Sequence, residues 1–502
     1  MAKVLIIGAG GAALSAAIAA KQSGAEVTVV TKEYPTRSQT CMAQGGINAA
    51  IGKGDSVEAH IADTLKSAKG LADEKAVELM CSKAPEAISW LDSIGVPFSR
   101  TEDGRIAQRR LGGASHPRAC YAQDYTGLKI LHTLYDYANK LDIEFVNERF
   151  LLELLVENAG AFGALFLNIK TGEVEAITAD SVILATGGYS KLYHTHSTNS
   201  KAATGDGIAA AARAGAKLSN MEFVQFHPTA LKSSAILISE SARGAGGKLL
   251  NSKGERFVDE LRPRDEVSLA IYKEMQKGED IYLDITHLGE AFIEEELPQE
   301  RKLALLYESV DPVKEPLPVK PAAHYTMGGI AVDLSIQSSI EGLYAVGECS
   351  ESRVHGANRL GGNSLLEIIV FGKIAGENAA KETNSTQTDI TAAVKSTEEK
   401  LQKLFDKDPK ENFYKVRAEL GDLFYTKCGI ERNADELKEL LAFIEKTTAN
   451  LENFGIEDKN RSCNTNLIDY LEFENLLQIA SFVTKGALEN ETSTGAHRRS
   501  DI

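Results

Sequence analysis

Short runs of apolar residues, each ending in glycine, organise the first half of the chain. The run Lys3–Ile7 is followed by Gly8-Ala-Gly10-Gly-Ala-Ala13 and by an alanine-rich stretch with helical spacing that reaches about Ser23. Gly24 ends this helix, and Glu26–Val30 is a second apolar run. A strand, a helix and a strand in this order form a βαβ unit, so the pattern predicts a parallel sheet covered by helices.

Two later apolar runs repeat the strand-to-glycine pattern. Residues 181–186 precede the pair Gly187 and Gly188, and residues 342–346 precede Gly347. Such endings, far apart in the chain, indicate one nucleotide-binding sheet that is interrupted by an insertion. We expect residues 1–225 and 326–380 to form the sheet domain. Residues 226–325, which mix short strands, prolines and charged helical patterns, would form the insertion.

Beyond residue 380 the pattern becomes helical. Residues 381–390 are polar and predict a linker that contains a helix start. From 391 to 485, lysine and glutamate surround apolar residues at helical spacing, such as Leu437, Leu440 and Ile444. This spacing predicts a small helical bundle. Residues 486–502 are expected to form a C-terminal tail.

The composition excludes several classes of protein. The 502 residues, of which 43% are hydrophobic and 25% are charged, suit a globular protein of several domains. A net charge of −16 argues against nucleic acid as a partner and gives an anionic substrate no long-range attraction. The 6 cysteines lie far apart without a Cys-x-x-Cys pair. This spacing argues against a metal site or an iron–sulfur cluster within the chain and favours a reducing compartment.

The sequence also lacks the patterns of targeting and membrane segments. Met-Ala-Lys leads directly into the first predicted strand without a basic leader, and no run of about 18 apolar residues occurs. We therefore expect a cytoplasmic protein that does not span a membrane.

The glycines between the first strand and its helix are typical of dinucleotide binding. Gly8 and Gly10 let the backbone approach a pyrophosphate, and the helix N-terminus offers amide donors and the positive end of its dipole. Thr31 ends the second strand, where an acidic residue usually binds the ribose, and Glu33 follows shortly after. These residues leave FAD and NAD both open. Gln44-Gly45-Gly46 suits either a simple turn or main-chain amides that face a flavin ring.

Several later clusters combine cations with glycine-rich turns. His355-Gly-Ala-Asn-Arg359-Leu-Gly-Gly places an arginine in a turn before a helical pattern, which suits bidentate binding of a carboxylate. The other clusters are centred on His227, on Ser239-Glu240-x-x-Arg243, on Arg264 and on His324. Each cluster by itself is most simply structural. Taken together, without metal-like spacing, they predict an anion site.

These motifs occur together in a known family. From about Lys3 to Gly376 the chain resembles the flavoprotein subunit of the fumarate reductase and succinate dehydrogenase family, and the likeness continues more weakly to His497. The shared blocks, in the family's order, are GAGGAA, AQGGI, QFHPT, SE..RG.GG, RPRD, HYTMGG, AVGEC and HGANRLGGNSLLE. The resemblance implies an α/β fold in which a Rossmann-like FAD-binding domain carries an inserted α+β capping domain and a C-terminal helical domain.

The resemblance also implies roles for individual residues. Arg264 matches the family's proton-donating arginine, and Glu240 and Arg243 match its proton relay. The dicarboxylate would be bound by His227, Ser239, His324, Arg359, Gly46 and Leu111. FAD would be bound by Gly8, Gly10, Gly11, Ala13, Thr31, Lys32, Ser38, Thr40, Gln44, Gly45, Gly46, Thr186, Gly187, Gly188, Asp206, Glu348, Asn363, Ser364 and Leu365. No metal site is expected.

The reaction that the resemblance implies is the FAD-dependent interconversion of fumarate and succinate, by hydride transfer at flavin N5. Members with covalent FAD carry a histidine where this chain has Gln39, so we expect non-covalent FAD and a preference for fumarate reduction. Leu111 stands where well-studied members have a phenylalanine that packs on the substrate. The main alternative is L-aspartate oxidase, which would convert L-aspartate to iminoaspartate. A scaffold that only passes electrons would not need the arginine set.

The source of electrons must lie outside the chain, because the chain has no cluster ligands. The resemblance implies a separate iron–sulfur subunit and, through it, a quinone-linked or thiol-linked subunit at the membrane. Through these partners we expect the chain to lie at the inner, cytoplasmic face of the membrane.

Overall fold

The computed structural model describes residues 1–383 and 389–502. The predicted linker 381–390 lies partly outside these residues. The strands are β1 Lys3–Ile7, β2 Glu26–Thr31, β3 Ile47–Asn48, β4 Gln108–Arg109, β5 Ala119–Cys120, β6 Glu144–Asn147, β7 Arg149–Glu157, β8 Gly160–Asn168, β9 Val174–Thr178, β10 Ser181–Leu184, β11 Leu218–Ser219, β12 Val224–Leu231, β13 Lys248–Asn251, β14 Ile281–Asp284, β15 Leu317–Thr326, β16 Gly329–Ala331, β17 Leu343–Ala345 and β18 Ser350–Glu351.

The α-helices include short ones of the inserted segment and long ones near the C-terminus. They are α1 Gly11–Gln22, α2 Val57–Ser67, α3 Glu74–Ser93, α4 Thr126–Lys140, α5 Asp206–Arg213, α6 Glu240–Gly244, α7 Arg264–Gln276, α8 Glu290–Glu296, α9 Pro298–Tyr307, α10 Asn363–Ala379, α11 Thr391–Asp406, α12 Phe413–Lys427, α13 Ala434–Ala449 and α14 Thr465–Glu489.

A parallel sheet with the strand order β17-β10-β1-β2-β6 forms the centre of the molecule. β1 pairs with β10 on one side and with β2 on the other, and β10 pairs with β17. All four residues of β10 are buried, which explains why the strand is a continuous apolar run rather than an alternating one. The prediction that these distant runs form one sheet is therefore confirmed.

Helix α10 packs closely on α1 because small residues line their contact. A Cβ at Gly376 would lie 2.2 Å from the main-chain oxygen of Ala16, and one at Gly372 would lie 2.7 Å from the Cβ of Ser15. Larger residues would therefore push the two helices apart. As a result, residues at the start of both helices line the same cavity.

Smaller sheets surround the central one. β7, β8 and β9 form an antiparallel three-stranded sheet, and β3, β5 and β4 form another. A third joins β11, β16 and β18. The sheet β3-β5-β4 holds the loop that follows residue 109 against the segment 44–48, which brings both segments to the cavity.

The inserted segment builds a sheet and an apolar core of its own. The sheet has the order β12-β15-β14-β13 and is antiparallel. Its core is formed by Leu231, Ile238, Ala242, Leu249, Val267, Ile271, Ile281, Leu283, Ile285, Ile293, Leu297, Ala304, Leu317 and Val319. The expected limits at 226 and 325 fall inside β12 and β15, so paired strands rather than loops connect the insertion to the rest of the chain. The division into domains stays a prediction.

Helices α11 to α14 occupy the region that was expected to be helical. Helix α14 extends to Glu489, so the expected limit at residue 485 lies within a helix. The helix continues because Ala487 is fully buried. The residues after it are also anchored, since Arg432 Nη1 lies 2.9 Å from Nδ1 of the buried His497. The segment around His497 and Arg499 is therefore packed against the body of the protein, whereas Ile502 is exposed.

The architecture confirms the predicted fold class, with a parallel nucleotide-binding sheet, an inserted α+β unit and C-terminal helices. Within residues 1–383 and 389–502, no helix is both long and apolar enough to cross a membrane.

Candidate active site

One cavity lies where the carboxyl ends of β1, β10 and β17 face the sheet of the insertion. Open parallel sheets commonly bind their ligands at this edge. Most of the predicted site residues line the wall, namely Gly8, Gly10, Gly11, Thr31, Lys32, Ser38, Thr40, Gln44, Gly45, Gly46, Leu111, Thr186, Gly187, Gly188, Asp206, His227, Ser239, Glu240, Arg264, His324, Glu348, Arg359, Ser364 and Leu365.

Three predicted site residues do not reach this wall. Ala13 is fully buried within α1. The Asn363 amide oxygen accepts a hydrogen bond from Asn48 Nδ2 at 2.8 Å. Arg243 lies behind Glu240, and its Nη1 donates to the main-chain oxygen of Glu260 at 2.6 Å. Each residue belongs to the expected segment, but local geometry directs its side chain into the protein.

The turn between β1 and α1 is shaped for the close approach of a ligand. Gly8 has a φ of 114°, and a Cβ there would lie 2.2 Å from the main-chain oxygen of Ala185. Among the described residues no side chain caps α1 at Gly10, although the Gly11 N–H donates to Thr40 Oγ1 at 3.0 Å. The first turn therefore keeps free amide donors and the positive end of the helix dipole.

Lys32, at the end of β2, also lines the cavity and forms ion pairs with two carboxylates of the protein. Its Nζ lies 2.7 Å from Asp206 Oδ2 and 2.8 Å from Glu472 Oε1. The Thr31 hydroxyl donates to the main-chain oxygen of Glu33 at 2.8 Å. Lys32 thus fastens α14, through Glu472, to the end of β2, and it positions Asp206 at the cavity wall.

Glu348 lies in the turn after β17. Its Oε1 accepts hydrogen bonds from the N–H and the hydroxyl of Thr326 at 3.0 and 3.2 Å. Burial raises the pKa of Glu348 to about 7, although the Thr326 donors and Arg359 act in the opposite direction. A Cβ at Gly188 would lie 2.5 Å from Glu348 Oε1, so glycine is needed there. Near neutral pH this carboxyl group can either donate to a ligand or accept from it.

An ion pair joins Arg264 to Glu240 on the insertion side of the cavity. Nη2 and Nε of Arg264 lie 2.6 and 2.9 Å from Glu240 Oε2, and its Nη1 donates to Gln225 Oε1 at 3.1 Å. The other oxygen of Glu240 accepts from the Gly112 N–H at 2.7 Å. Burial raises the pKa of Glu240, but Arg264 and Arg243 together bring it below its ordinary value. Glu240 is therefore a buried carboxylate.

The charges continue from Glu240 towards the surface. Arg243 Nη2 lies 3.9 Å from Glu240 Oε1, and the Arg243 side chain is fully buried. Beyond it, Glu260 forms an ion pair with Arg256, whose side chain is 55% exposed. Arg243 thus lies between Glu240 and this surface ion pair, and it contacts Glu260 through the main-chain oxygen rather than the carboxylate.

Arg359 presents a cation that forms no ion pair with the described residues, although Glu348 and Glu240 lie near enough to raise its pKa. Its guanidinium carbon lies 4.4 Å from the centre of the Tyr325 ring, and its Nε has no hydrogen-bond partner in residues 1–383 and 389–502. Burial and then the nearby Arg264 lower the pKa of Arg359 to about 10, so it remains charged near neutral pH. The Tyr325 hydroxyl is held by Glu367 at 2.9 Å. A buried cation of this kind requires an anionic ligand.

His227 and His324 lie side by side in the same wall, with ring centres 4.9 Å apart. Nδ1 of His227 lies 3.2 Å from the main-chain nitrogen and 3.3 Å from the main-chain oxygen of Thr229, which hold the ring in place. Nδ1 of His324 is hydrogen-bonded to the Thr198 hydroxyl at 2.8 Å. Burial and then Arg264 lower the pKa of both rings well below the ordinary value. Both histidines can bind an anion without adding a charge.

Sequence analysis did not assign roles to Gln225 and Tyr325. Gln225 accepts from Arg264, while its Nε2 donates to the main-chain oxygen of Arg359 at 2.8 Å. It therefore links the two arginines. A signal was available, because Gln225 precedes His227 by two positions and so shares its face of β12. Tyr325 has no comparable signal, since its stacking on Arg359 depends on two distant segments.

The cavity fits FAD. The uncapped start of α1 can bind a pyrophosphate, and the buried Ser38 Oγ and Gln44 Oε1 have no partner among the described residues. Gly187 has a φ of 76°, and a Cβ there would meet nothing within 4 Å, so the main chain is accessible from the cavity. Gln39 also lines the wall, and its Oε1 accepts from the Ser200 N–H at 2.8 Å.

Two family models match the sequence. The FAD binding domain model matches residues 3–365, and the model of the fumarate reductase flavoprotein C-terminus matches residues 417–502. The first match covers all the residues that line the cavity except Ile368. The second covers α14 and the residues after it.

Whole-chain relatives agree with these models. The fumarate reductase flavoprotein subunit of Escherichia coli K12 is 38% identical over 100% of this chain and 88% of its own length. The succinate dehydrogenase flavoprotein subunit of Rickettsia bellii is 37% identical over 99% of this chain and 90% of its own. A solved variant of E. coli quinol fumarate reductase superimposes with a TM-score of 0.96 at 38% identity, over 99% of this chain and 91% of the other. The chain belongs to the family of fumarate reductase and succinate dehydrogenase flavoprotein subunits, which are FAD-dependent oxidoreductases.

Proposed function

We propose that this chain is the catalytic subunit of an enzyme that interconverts fumarate and succinate, with fumarate reduction as the favoured direction. The observation that carries the proposal is the buried, unpaired guanidinium of Arg359 in the same cavity as the Arg264–Glu240 ion pair. One group suits a carboxylate, and the other suits proton transfer. Relatives named fumarate reductase and succinate dehydrogenase flavoprotein subunits support this assignment.

FAD would be held by the first turn of α1, by Ser38 and Thr40, by the segment 44–46 and by Gly187. The chemistry that FAD supplies when bound is hydride transfer at flavin N5. Gln39 replaces the histidine that the resemblance associates with covalent attachment, and a carboxamide does not form that bond. FAD is therefore non-covalent in this proposal.

The substrate would be held by groups that match a dicarboxylate. Arg359 offers two parallel donors to one carboxylate. His227 and His324 contribute donors without further charge, because their pKa values keep them neutral. Ser239, whose hydroxyl lies 2.7 Å from that of Ser241, adds a polar contact at the edge of the cavity. Polarised carboxylates make the alkene a better hydride acceptor.

Arg264 would deliver the proton to the carbon opposite the one that accepts hydride. Arginine is a poor acid in water, with a pKa above about 12, but the carbon is carbanion-like and far more basic. Glu240 would return a proton to Arg264 across 2.6 Å. Arg243, 3.9 Å from Glu240 on the side away from Arg264, would be the next group of the relay.

Electrons would be exchanged with a separate iron–sulfur subunit and, through it, with a quinone-linked or thiol-linked partner. Support comes from the relatives, which are named as subunits, one of them of an 8-methylmenaquinol:fumarate reductase. In this proposal the chain works on the cytoplasmic side, at the membrane face, through its partners.

The test is an assay of the purified protein with FAD, reduced viologen and fumarate. We expect fumarate-dependent oxidation of the viologen that is lost in Arg264→Met. The matched control is Arg262→Met, because the Arg262 side chain is 60% exposed and lies two positions earlier. Equal loss in both variants would contradict the role of Arg264.

The same preparation distinguishes fumarate reduction from the main alternative, L-aspartate oxidation. If fumarate is not reduced, but L-aspartate reduces the flavin and peroxide forms in air, the protein is an L-aspartate oxidase. Failure with both substrates would refute both assignments.

A further inference from the structure

Two buried carboxyl groups outside the cavity connect the insertion to the rest of the chain. Glu300 lies in α9, Asp124 lies in the turn before α4, and both are 0% exposed. Asp124 Oδ2 accepts from the main-chain N–H groups of Gln299 and Glu300 at 2.7 and 3.2 Å. The residue that precedes α9, Leu297, has no side chain that can cap it. Asp124 therefore caps α9 from a distant segment.

Glu300 extends this connection to the candidate active site. Its Oε1 accepts from the Ser239 N–H at 2.9 Å. Ser239 lines the cavity and is the N-cap residue of α6, the helix that begins with Glu240. The position of Glu240, and with it the contact to Arg264, thus depends on a hydrogen bond to Glu300.

Neither carboxyl group has an ion pair within the described ranges. Arg109 faces both, but its N–H groups donate to main-chain oxygens of Gln44, Gly45 and Gln123. Its guanidinium carbon also lies 4.3 Å from the centre of the Tyr121 ring. The other titratable groups in this surrounding are Tyr125, which faces both carboxyl groups, and Glu296, which faces Arg109 and Tyr121.

Each carboxyl group keeps one oxygen without a hydrogen-bond partner in the part of the chain that the structure describes. These atoms are Asp124 Oδ1 and Glu300 Oε2, and both are fully buried. Two ionised carboxylates at this depth would repel each other and leave both oxygens unsatisfied. A proton on the pair removes one charge and supplies one donor.

We propose that Glu300 is a positioning residue that acts in its protonated form: together with Asp124 it fixes Ser239 and Glu240 and fastens α9 to the turn before α4. The effect on turnover rests on the proposed function, whereas the effect on stability does not. Burial first, and Asp124 second, raise the pKa of Glu300 well above its ordinary value. Burial raises the pKa of Asp124 to about 6.

The sign of the pH effect follows from these shifts. The folded pair binds its proton more tightly than the unfolded chain does. Its stabilising contribution is therefore complete below the ordinary pKa values, near pH 4, and is lost as the pH rises through the folded values. Replacement of Glu300 by glutamine keeps an acceptor for Ser239 and removes the ionisation.

The decisive experiment is thermal unfolding of the holoenzyme from about pH 5 to about pH 9. We expect the melting temperature of Glu300→Gln to rise relative to wild type as the pH increases. Asp124→Asn should show the same trend, which keeps the test valid if one variant folds poorly. Glu295→Gln is the matched control, because this exposed glutamate lies in the preceding helix and should follow wild type. Parallel curves for Glu300→Gln and wild type would overturn the proposal.

Kinetics distinguish positioning from general stability. Glu300→Gln should keep the KM for fumarate, whereas Glu300→Leu should raise it about tenfold, because the Ser239 amide loses its acceptor and one buried hydrogen bond corresponds to about that factor. An unchanged KM in Glu300→Leu would refute the positioning role. If wild type does not reduce fumarate at all, the proposed function fails. The unfolding measurements still show whether Glu300 and Asp124 share a proton in the folded protein.

Discussion

The ion pair between Arg264 and Glu240 permits a prediction that separates catalysis from stability. Arg264→Met keeps the apolar stem but leaves the carboxylate of Glu240 buried, with only 1% of its side chain exposed. Removal of one partner of a buried pair typically costs about 3–5 kcal/mol. Arg243, 3.9 Å from the same carboxylate, still offsets part of this charge. We therefore expect a loss of about 3 kcal/mol in the free energy of unfolding.

Turnover should fall further than this loss of stability explains. Removal of a group that transfers a proton typically slows a reaction about 10²–10⁴-fold. We expect the decrease in kcat for fumarate reduction by Arg264→Met to lie at the large end of that range or beyond it. Adding Glu240→Gln to the same protein removes the unpaired carboxylate but leaves the buried Arg243 without its acidic partner, so it should restore part of the stability. It should not restore turnover, because no proton donor returns.

The assay is paired measurement of melting temperature and of kcat with reduced viologen and fumarate, for wild type, both single variants and the double variant. Recovery of turnover together with stability in the double variant would refute the reasoning, since Arg264 would then act only as a structural cation. Arg264→Lys is a further variant that separates the charge of Arg264 from its two-point contact with Glu240. It keeps a charge near Glu240 but loses the two-point contact, so it should retain more stability than activity.

The other predictions concern the cofactor, the carboxylate site and pH. Acid denaturation should release all flavin, and flavin that migrates with the denatured chain would contradict the assignment based on Gln39. Arg359→Lys should raise the KM for fumarate about tenfold or more with little change in melting temperature, because lysine cannot bind bidentately or stack on Tyr325. In the FAD-free protein, the raised pKa of Glu348 should reduce stability by about 3 kcal/mol from pH 4.5 to about pH 7, and Glu348→Gln should lack this loss in parallel denaturant titrations.

Much of the fold could be predicted because its signals are local. The apolar runs that became β1, β10 and β17 are buried on both faces, and such strands are recognisable without knowledge of their neighbours. The limits of the insertion were harder to place. β12 and β15 pair with each other on both sides of the expected limits at 226 and 325. Because this boundary is set by the pairing of two distant strands, the local composition does not change there.

The candidate site was predictable where glycine or a charged side chain marked a segment, as at Gly8, Glu240 and Arg359. It was less predictable where the direction of a side chain mattered. Arg243 and Asn363 lie in the expected segments but point away from the cavity. The buried state of Glu300 could not be foreseen, because its helix also carries the partly buried Arg301 and the exposed Lys302, and only packing distinguishes these charged residues.

The sequence by itself determined the first βαβ unit, the two later apolar strands, the helical C-terminal region, the dinucleotide-binding turn, the set of charged residues and the family to which the chain belongs. These features depend on spacing along the chain and on side-chain chemistry. The tertiary structure decided which charges are paired. It gives Arg359 no ion pair among the described residues, places Arg264 against Glu240, and brings Asp124 to Glu300 from a segment far away in the chain. Burial and distance set the strength of a charge interaction, and both arise only when separate segments pack together.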